Sequence, residues 1–210
     1  NETKNQQLGD SKNEVFIQSG RKKIIRSLLN YEDSTLLQDS VIVEFINYAG
    51  DDSSNIRLDY YDNDWYAQID CAIKFKGKKQ NVFLTMIKEG NANEGFKWVI
   101  VGVSAPFINL PTQQNDSTKF ISPKNHELGF IDLSKVFIDS DNITKYSSKY
   151  FLPDDLSVFF YLVKAKEIQF IQVNHIQYHF LQIPNWVFTV DNYNRANYNS
   201  GWLITSLSKI

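Results

Sequence analysis

The 210-residue sequence has one cysteine, one methionine, few prolines and glycines, and no long hydrophobic run. The single Cys71 excludes an intramolecular disulfide, so the fold depends on packing alone. No stretch reaches the roughly 18 consecutive apolar residues that a membrane-spanning helix requires. Neither sign of charge is in large excess, because the sequence has 22 basic and 24 acidic residues and a formal net charge of −2. Nucleic-acid binders normally carry a basic excess, so nucleic acid is not an expected partner.

Motifs of the common enzyme and cofactor classes are also missing. There is no G-x-S-x-G elbow, P-loop or dinucleotide-binding fingerprint. His175 and His179 would face the same side of a strand about 13 Å apart, too far to share a metal. The acidic segment 59–64 lacks the glycine and the later glutamate of a calcium-binding EF-hand loop. The sequence therefore predicts no catalytic residue, metal site or cofactor.

Aromatic residues are abundant, at 14% of the chain. Several lie near asparagine-rich or aspartate-rich turns, and such pairs of ring and amide suit the binding of a sugar or peptide. Trp98 and Trp202 are expected in the core instead. The alternative is that the tyrosines only line a half-buried sheet. The predicted ligand-binding residues are Tyr60, Tyr61, Trp65, Tyr66, Tyr178, Tyr193, Arg195 and Tyr198.

Hydrophobic periodicity divides the chain into helices and strands. Apolar spacings of three and four predict helices between Glu14 and Gly50, and Pro153-Asp154-Asp155 opens another helix. Segments 128–137 and 142–150 are predicted as helical or turn-like. The apolar run Phe96–Val103 is expected to be a central strand. The predicted strands are Trp65–Phe75, Asn81–Ile87, Phe96–Val103, Ile168–Ile183, Trp186–Val190 and Gly201–Leu207.

An internal repeat is indicated when the chain is shifted by 104 residues. Asn81–Met86 then falls on Asn185–Val190, and Trp98-Val99-Ile100 falls on Trp202-Leu203-Ile204. The alternative is that any two three-stranded meanders share alternation and turn residues. Proline-rich residues 107–123 form the best boundary. The predicted organisation is a polar tether at 1–13, an α+β unit at 14–106, a linker at 107–123 and a second α+β unit at 124–210.

Each predicted half, with helices before a sheet that ends in a Trp-bearing strand, resembles the NTF2-like or cystatin-like α+β folds. Phe96–Val103 is similar to the final strand of many NTF2-like domains. The resemblance covers most of residues 14–106 and the second half more loosely. It implies an α+β fold in which helices precede a curved antiparallel sheet, repeated twice, and a cone with room for a pocket. It implies no activity, because folds of this kind host many functions.

The beginning of the chain and its composition suggest a cellular location. The sequence starts at Asn1, and residues 1–13 are polar, as expected of a tether left after a targeting segment is removed. Abundant Asn, Ile, Lys, Tyr and Phe point to an AT-rich bacterial genome. We therefore expect a bacterial periplasmic, outer-surface or secreted protein, with room for a lipid anchor or other membrane tether upstream of Asn1. A trimmed cytoplasmic protein is the alternative.

These observations favour a non-catalytic module that binds a small molecule, a glycan or a partner protein. A glycan-binding protein is the nearest variant. The competing class is a small enzyme in an NTF2-like cone, with Asp70, His175 or His179 as general base and Tyr178 as hydrogen-bond donor. A scaffold protein is the third alternative, and it predicts an exposed apolar patch or a stable oligomer.

Overall fold

The computed structural model describes residues 20–32, 39–51, 53, 55–91, 95–108, 110, 151, 153–196 and 199–210. The predicted tether at 1–13, most of the linker at 107–123 and the predicted elements at 128–137 and 142–150 lie outside these residues.

Three helices are formed by the described residues: α1 (residues 20–27), α2 (Asp39–Ala49) and α3 (Asp155–Lys164). Helix α2 presents buried Ile42, Phe45 and Ile46 at helical spacing, and it ends before Gly50 as predicted. Helix α3 starts where the sequence predicts, because the Asp154 carboxylate accepts the backbone N–H of Ser157 at 2.9 Å.

In the described ranges, six strands form one curved antiparallel sheet in the order β3-β2-β1-β4-β5-β6. The α+β class is thus confirmed, and the strands of both predicted units belong to the same sheet. Their bounds agree with the six predicted strands to within a few residues. They are β1 (Trp65–Phe75), β2 (Lys78–Asn91), β3 (Gly95–Ser104), β4 (Ile168–Phe180), β5 (Trp186–Tyr193) and β6 (Gly201–Lys209).

The prediction that Phe96–Val103 is a central strand is wrong. Among the described residues, the strand that contains it, β3, lies at an edge of the sheet and has β2 as its one strand neighbour. Exposed Val101 and half-buried Val99 and Ile100 show that its apolar run is not enclosed on both faces. An apolar run indicates burial of a strand but carries no information about which neighbours it pairs with.

All three helices accompany one face of the sheet, which we call the helix-side face. Alternation along β1 places Trp65, Ala67, Ile69, Cys71 and Ile73 on this face. At one end, α1 and α2 pack with strands β5 and β6 around Phe45, Trp186 and Phe188. At the other end, α3 packs on β3 and β4, and its Phe159 joins a core cluster that includes Cys71 and Ile168. Cys71 is buried as predicted, and burial raises the pKa of its thiol.

Candidate functional site

Four aromatic side chains from four strands meet in the middle of the helix-side face. We call Trp65, Trp98, Tyr178 and Trp202 the aromatic platform. The strand register places all four on one face. Tyr178 pairs with Ala67, which lies two residues from Trp65 on β1. The β2–β3 pair brings Trp98 to this face, and the β4–β5 and β5–β6 pairs bring Trp202 to it. Tyr178 is central: its ring centroid lies 5.8 Å from Trp65, 6.4 Å from Trp98 and 5.0 Å from Trp202.

The platform is open to solvent at its two outer tryptophans. Trp98 is 36% exposed and Trp202 is 43% exposed, so the prediction that both are core residues is wrong. The physical reason is the placement of the helices. In the described part of the chain, α2 and α3 pack toward the two ends of this face, and both tryptophans lie between those ends. A contiguous exposed apolar patch, unlike a single exposed ring, often marks an interaction site.

Core aromatic rings on the same face contact the platform through Trp65. Trp65 stacks on Phe180 with ring centroids 5.4 Å apart, and Phe180 stacks on Phe188 at 4.9 Å. Phe188 in turn contacts Phe45 of α2 at 5.8 Å. This continuous set of ring contacts limits the rotation of Trp65, against which the Trp98 ring packs edge-on. Trp65 therefore gives Trp98 a fixed surface to pack against.

A buried lysine lies beside the platform. Lys88 of β2 is opposite Trp98 in the β2–β3 pair and is only 5% exposed. Its ammonium lies 4.3 Å from the ring centroid of Tyr60 and 4.7 Å from that of Trp65. Among the described residues, Nζ of Lys88 has no hydrogen-bond partner. We call the rings around this ammonium the Lys88 cage, which consists of Tyr60, Tyr61, Trp65 and Phe96.

Two opposing effects act on the pKa of the Lys88 ammonium. Burial lowers the pKa of the Lys88 ammonium, while the carboxylates of Asp59 and Asp62 act in the opposite direction. The negative faces of the rings also attract the cation. Asp59 further accepts the backbone N–H of Tyr61 at 2.8 Å, which fixes the turn that carries the two tyrosines. The predicted role of the aspartates as turn formers agrees with this geometry.

The structure brings together four of the predicted ligand-binding residues. Trp65 and Tyr178 belong to the aromatic platform, and Tyr60 and Tyr61 adjoin it through the Lys88 cage. Tyr66 is on the opposite face, where it stacks on His179 at 4.6 Å. Tyr193 and Arg195 lie at the β5–β6 connection, and Tyr198 lies outside the described residues.

Arg195 joins two parts of the chain. Its guanidinium donates to the side-chain oxygen of Asn30 at 2.7 Å and pairs with Glu32, and it lies over the Tyr193 ring at 4.7 Å. Asn199 adds a hydrogen bond of 2.7 Å to the carbonyl of Leu29. These contacts hold the segment after α1 against β6. A role of Arg195 as a ligand contact stays a prediction.

The opposite face of the sheet carries a polar network around Asp191. Its buried carboxylate lies 2.5 Å from Nε2 of His175 and accepts from Gln177 at 2.9 Å and from the hydroxyl of Thr205. His179 lies nearby, and its Nε2 is buried without a hydrogen-bond partner in the described chain. Burial lowers the pKa of His179, and the charge of Asp191 opposes this shift.

The four acid/base candidates do not converge. In the register, Tyr178 pairs with Ala67 and therefore lies on the helix-side face, whereas His175 pairs with Asp70 on the other face. His179 pairs with Tyr66, also on that face. The described residues include no group of three or more His, Cys, Asp or Glu placed to hold a metal ion.

Sequence reasoning missed Trp98, Trp202 and Lys88. A signal for Lys88 was present, because it continues the inward-facing alternation of Val82, Leu84 and Met86 along β2. The 104-residue shift aligns Trp98 with Trp202 and so singles out this pair. An alignment of the chain with itself does not show, however, that both rings are exposed.

Comparison with known proteins found no matching family model, curated protein or solved structure. None of the helices in the described ranges is long and apolar enough to cross a membrane.

Proposed function

We propose that this protein is a non-catalytic binding module whose aromatic platform binds a carbohydrate. The observation that carries this function is the pair of exposed tryptophans, Trp98 and Trp202, on either side of the Tyr178 ring on one sheet face.

The chemistry of the platform suits a sugar ring. The C–H bonds of a pyranose carry partial positive charge and are attracted to the negative face of an indole or phenol ring. Hydroxyl groups at the rim of the sugar need hydrogen-bond partners, and exposed Asn192 lies opposite Trp202 in the β5–β6 pair. Core aromatics already restrain Trp65, so this part of the platform needs no ordering when a ligand binds.

The enzyme alternative receives less support from the geometry. Its hydrogen-bond donor, Tyr178, is separated by the sheet from Asp70, His175 and His179. The His175 imidazole is paired with a carboxylate that already accepts two other hydrogen bonds, from Gln177 and Thr205, which fits a structural network.

We also propose that the module belongs to a bacterial envelope or secreted protein, and that its two meanders are a duplicated NTF2-like or cystatin-like unit. The composition, rich in Asn, Ile, Lys, Tyr and Phe, supports a bacterial source. The sheet order, symmetric about the β1–β4 pair, supports the duplication. So does the hydrogen bond of 3.2 Å from Asn174 to Asp70, two residues that the 104-residue shift aligns.

A fluorescence screen tests the carbohydrate proposal. Neutral and acidic oligosaccharides are titrated into the full chain, and the emission of its four tryptophans is recorded. We expect at least one sugar class to shift or quench the emission, because the platform contains three of the four indoles. Phe83→Ala, which removes an exposed ring from the opposite face, should leave that response intact. Unchanged emission across the whole panel would sink the proposal.

A further inference from the structure

We infer that one lysine-rich end of the sheet binds the surface of an anionic lipid bilayer. At this end β1 turns into β2 through Lys76-Gly77, and β4 begins beside the last residue of β1, since Ile168 pairs with Phe75. Three residues separate the end of α3 from β4, so the end of this helix lies near the same turn. The lysines of the turn and of the helix end form what we call the basic end: Lys74, Lys76, Lys78, Lys79, Lys164 and Lys166.

The basic end concentrates positive charge in a chain that is nearly neutral. All six lysines are exposed, and no described residue forms an ion pair with any of them. Segments 74–79 and 164–169 hold these six lysines and one carboxylate, Glu167, which gives a net charge of +5, whereas the whole chain carries −2. The remaining residues are therefore negative in sum. This separation of charge attracts an anionic partner to the basic end and repels it from the rest of the molecule.

The fold gains no stability from the lysines of the turn. Lys74 and Lys79 lie directly opposite each other in the β1–β2 register. Like charges at opposed positions of an antiparallel pair destabilise it. Lys76 and Lys78 add to this repulsion, because they lie between those two residues in the sequence. Stability therefore does not account for four lysines within six residues, whereas contact with an anionic surface relieves their repulsion.

Exposed rings beside the lysines favour a bilayer over a soluble polyanion. Phe170 of β4 pairs with Ile73, one position from Lys74, and is 64% exposed. Tyr161 is 70% exposed and lies one helical turn before Lys164. An anionic bilayer offers phosphate groups at its surface and an apolar layer just below them, so it can accommodate lysines and rings together. A soluble acidic polymer offers the charge without the apolar layer.

The type of basic residue agrees with a lipid surface as the partner. The basic end has no arginine, and all four arginines of the chain lie elsewhere in the sequence. The planar guanidinium of arginine suits bidentate recognition of individual phosphates, as in nucleic-acid binding. A lysine ammonium is a hydrated point charge on a flexible stem. A cluster of lysines is therefore attracted to an anionic membrane surface without selecting one headgroup.

Vesicle co-sedimentation tests this inference. The full chain is mixed with vesicles of pure phosphatidylcholine, or of equal parts phosphatidylcholine and phosphatidylglycerol, in about 0.1 M salt, where screening limits exposed charges to a range of roughly 10 Å. We expect binding to the anionic vesicles alone, and we expect it to weaken as salt is added. The double substitution Lys76→Glu/Lys78→Glu should weaken this binding by about tenfold or more, because each lysine near the membrane surface contributes to it.

The matched control is Lys23→Glu/Arg57→Glu, which makes the same change in net charge at exposed positions. Both positions adjoin the core cluster of α1 and α2, at the other end of the molecule. The control should bind anionic vesicles like the wild type, and circular dichroism checks that both variants are folded.

Three results would overturn the inference. The first is a wild type that does not bind the anionic vesicles. The second is an equal loss of binding in the two double variants, since net charge alone would then explain it. The third is tighter binding to a short DNA duplex than to the vesicles at the same salt concentration, which would assign the basic end to a nucleic acid. No residue of the basic end belongs to the aromatic platform, so this inference and the carbohydrate proposal can fail independently.

Discussion

Single residues explain much of the local chemistry of the helix-side face, and Lys88 is the clearest example. A buried ammonium normally requires a hydrogen-bonded partner. Here the described neighbours of Nζ are aromatic rings, with Tyr60 and Trp65 closest. Cation–π attraction offsets part of the lost hydration, while burial still lowers the pKa of the group.

Lys88→Met replaces this ammonium by an apolar side chain of similar length. A lysine whose pKa is lowered by folding opposes folding while it is charged, and this effect disappears as the pH rises toward its ordinary value of 10.5. We expect the free energy of unfolding of the variant, measured with urea at pH 7, to equal or exceed that of the wild type. The difference should shrink toward pH 10. A loss of more than about 1 kcal/mol at pH 7 would show that the ring contacts dominate.

Asp191→Asn tests the polar network on the opposite face. The amide keeps one acceptor oxygen, so its nitrogen faces either the donors of Gln177 and Thr205 or Nε2 of His175, and the charge of the carboxylate is lost. We expect the free energy of unfolding to fall by about 2–4 kcal/mol. Asp64→Asn, at an exposed bend, should change it by less than about 0.5 kcal/mol. Equal effects of the two substitutions would contradict a structural role for the network.

At the scale of elements, local patterns predicted most of the helices and strands. Helix α3 was predictable because Pro153 and Asp154 form a local start signal, and β1 and β2 because a Lys-Gly turn separates two strand-like runs. The position of β3 at an edge was not predictable, since strand neighbours are chosen by contacts distant in sequence. The exposure of Trp98 and Trp202 could not be predicted for the same reason, because it depends on where the helices pack on the sheet.

The packing of α2 on the sheet gives a prediction at this scale. Phe45 is buried between α2 and β5, with its ring centroid 5.2 Å from that of Trp186. Phe45→Ala leaves a cavity and should lower the free energy of unfolding by about 3–5 kcal/mol. Val43→Ala, on the exposed side of the same helix, should lower it by less than about 1 kcal/mol. Similar losses in both variants, measured by urea denaturation, would contradict this packing.

At the scale of the whole molecule, the strands of the two predicted halves, β1–β3 and β4–β6, form one sheet. The β1–β4 pair joins the two meanders along the full length of both strands. Since neither half can lose this pair without opening the other, we expect a single cooperative unfolding transition. Tryptophan emission and far-ultraviolet circular dichroism should report the same midpoint in urea. Two separate transitions would mean that the halves are independent domains.

The binding role of the aromatic platform is tested most directly by calorimetry. The sugar with the strongest response in the screen is titrated into the wild type, Trp98→Ala, Trp202→Ala and Phe83→Ala. Removal of either platform tryptophan should weaken the affinity by about tenfold or more, the usual effect of deleting an aromatic anchor. Phe83→Ala should bind like the wild type. If both tryptophan variants fold normally and keep the affinity of the wild type, the platform is not the binding site.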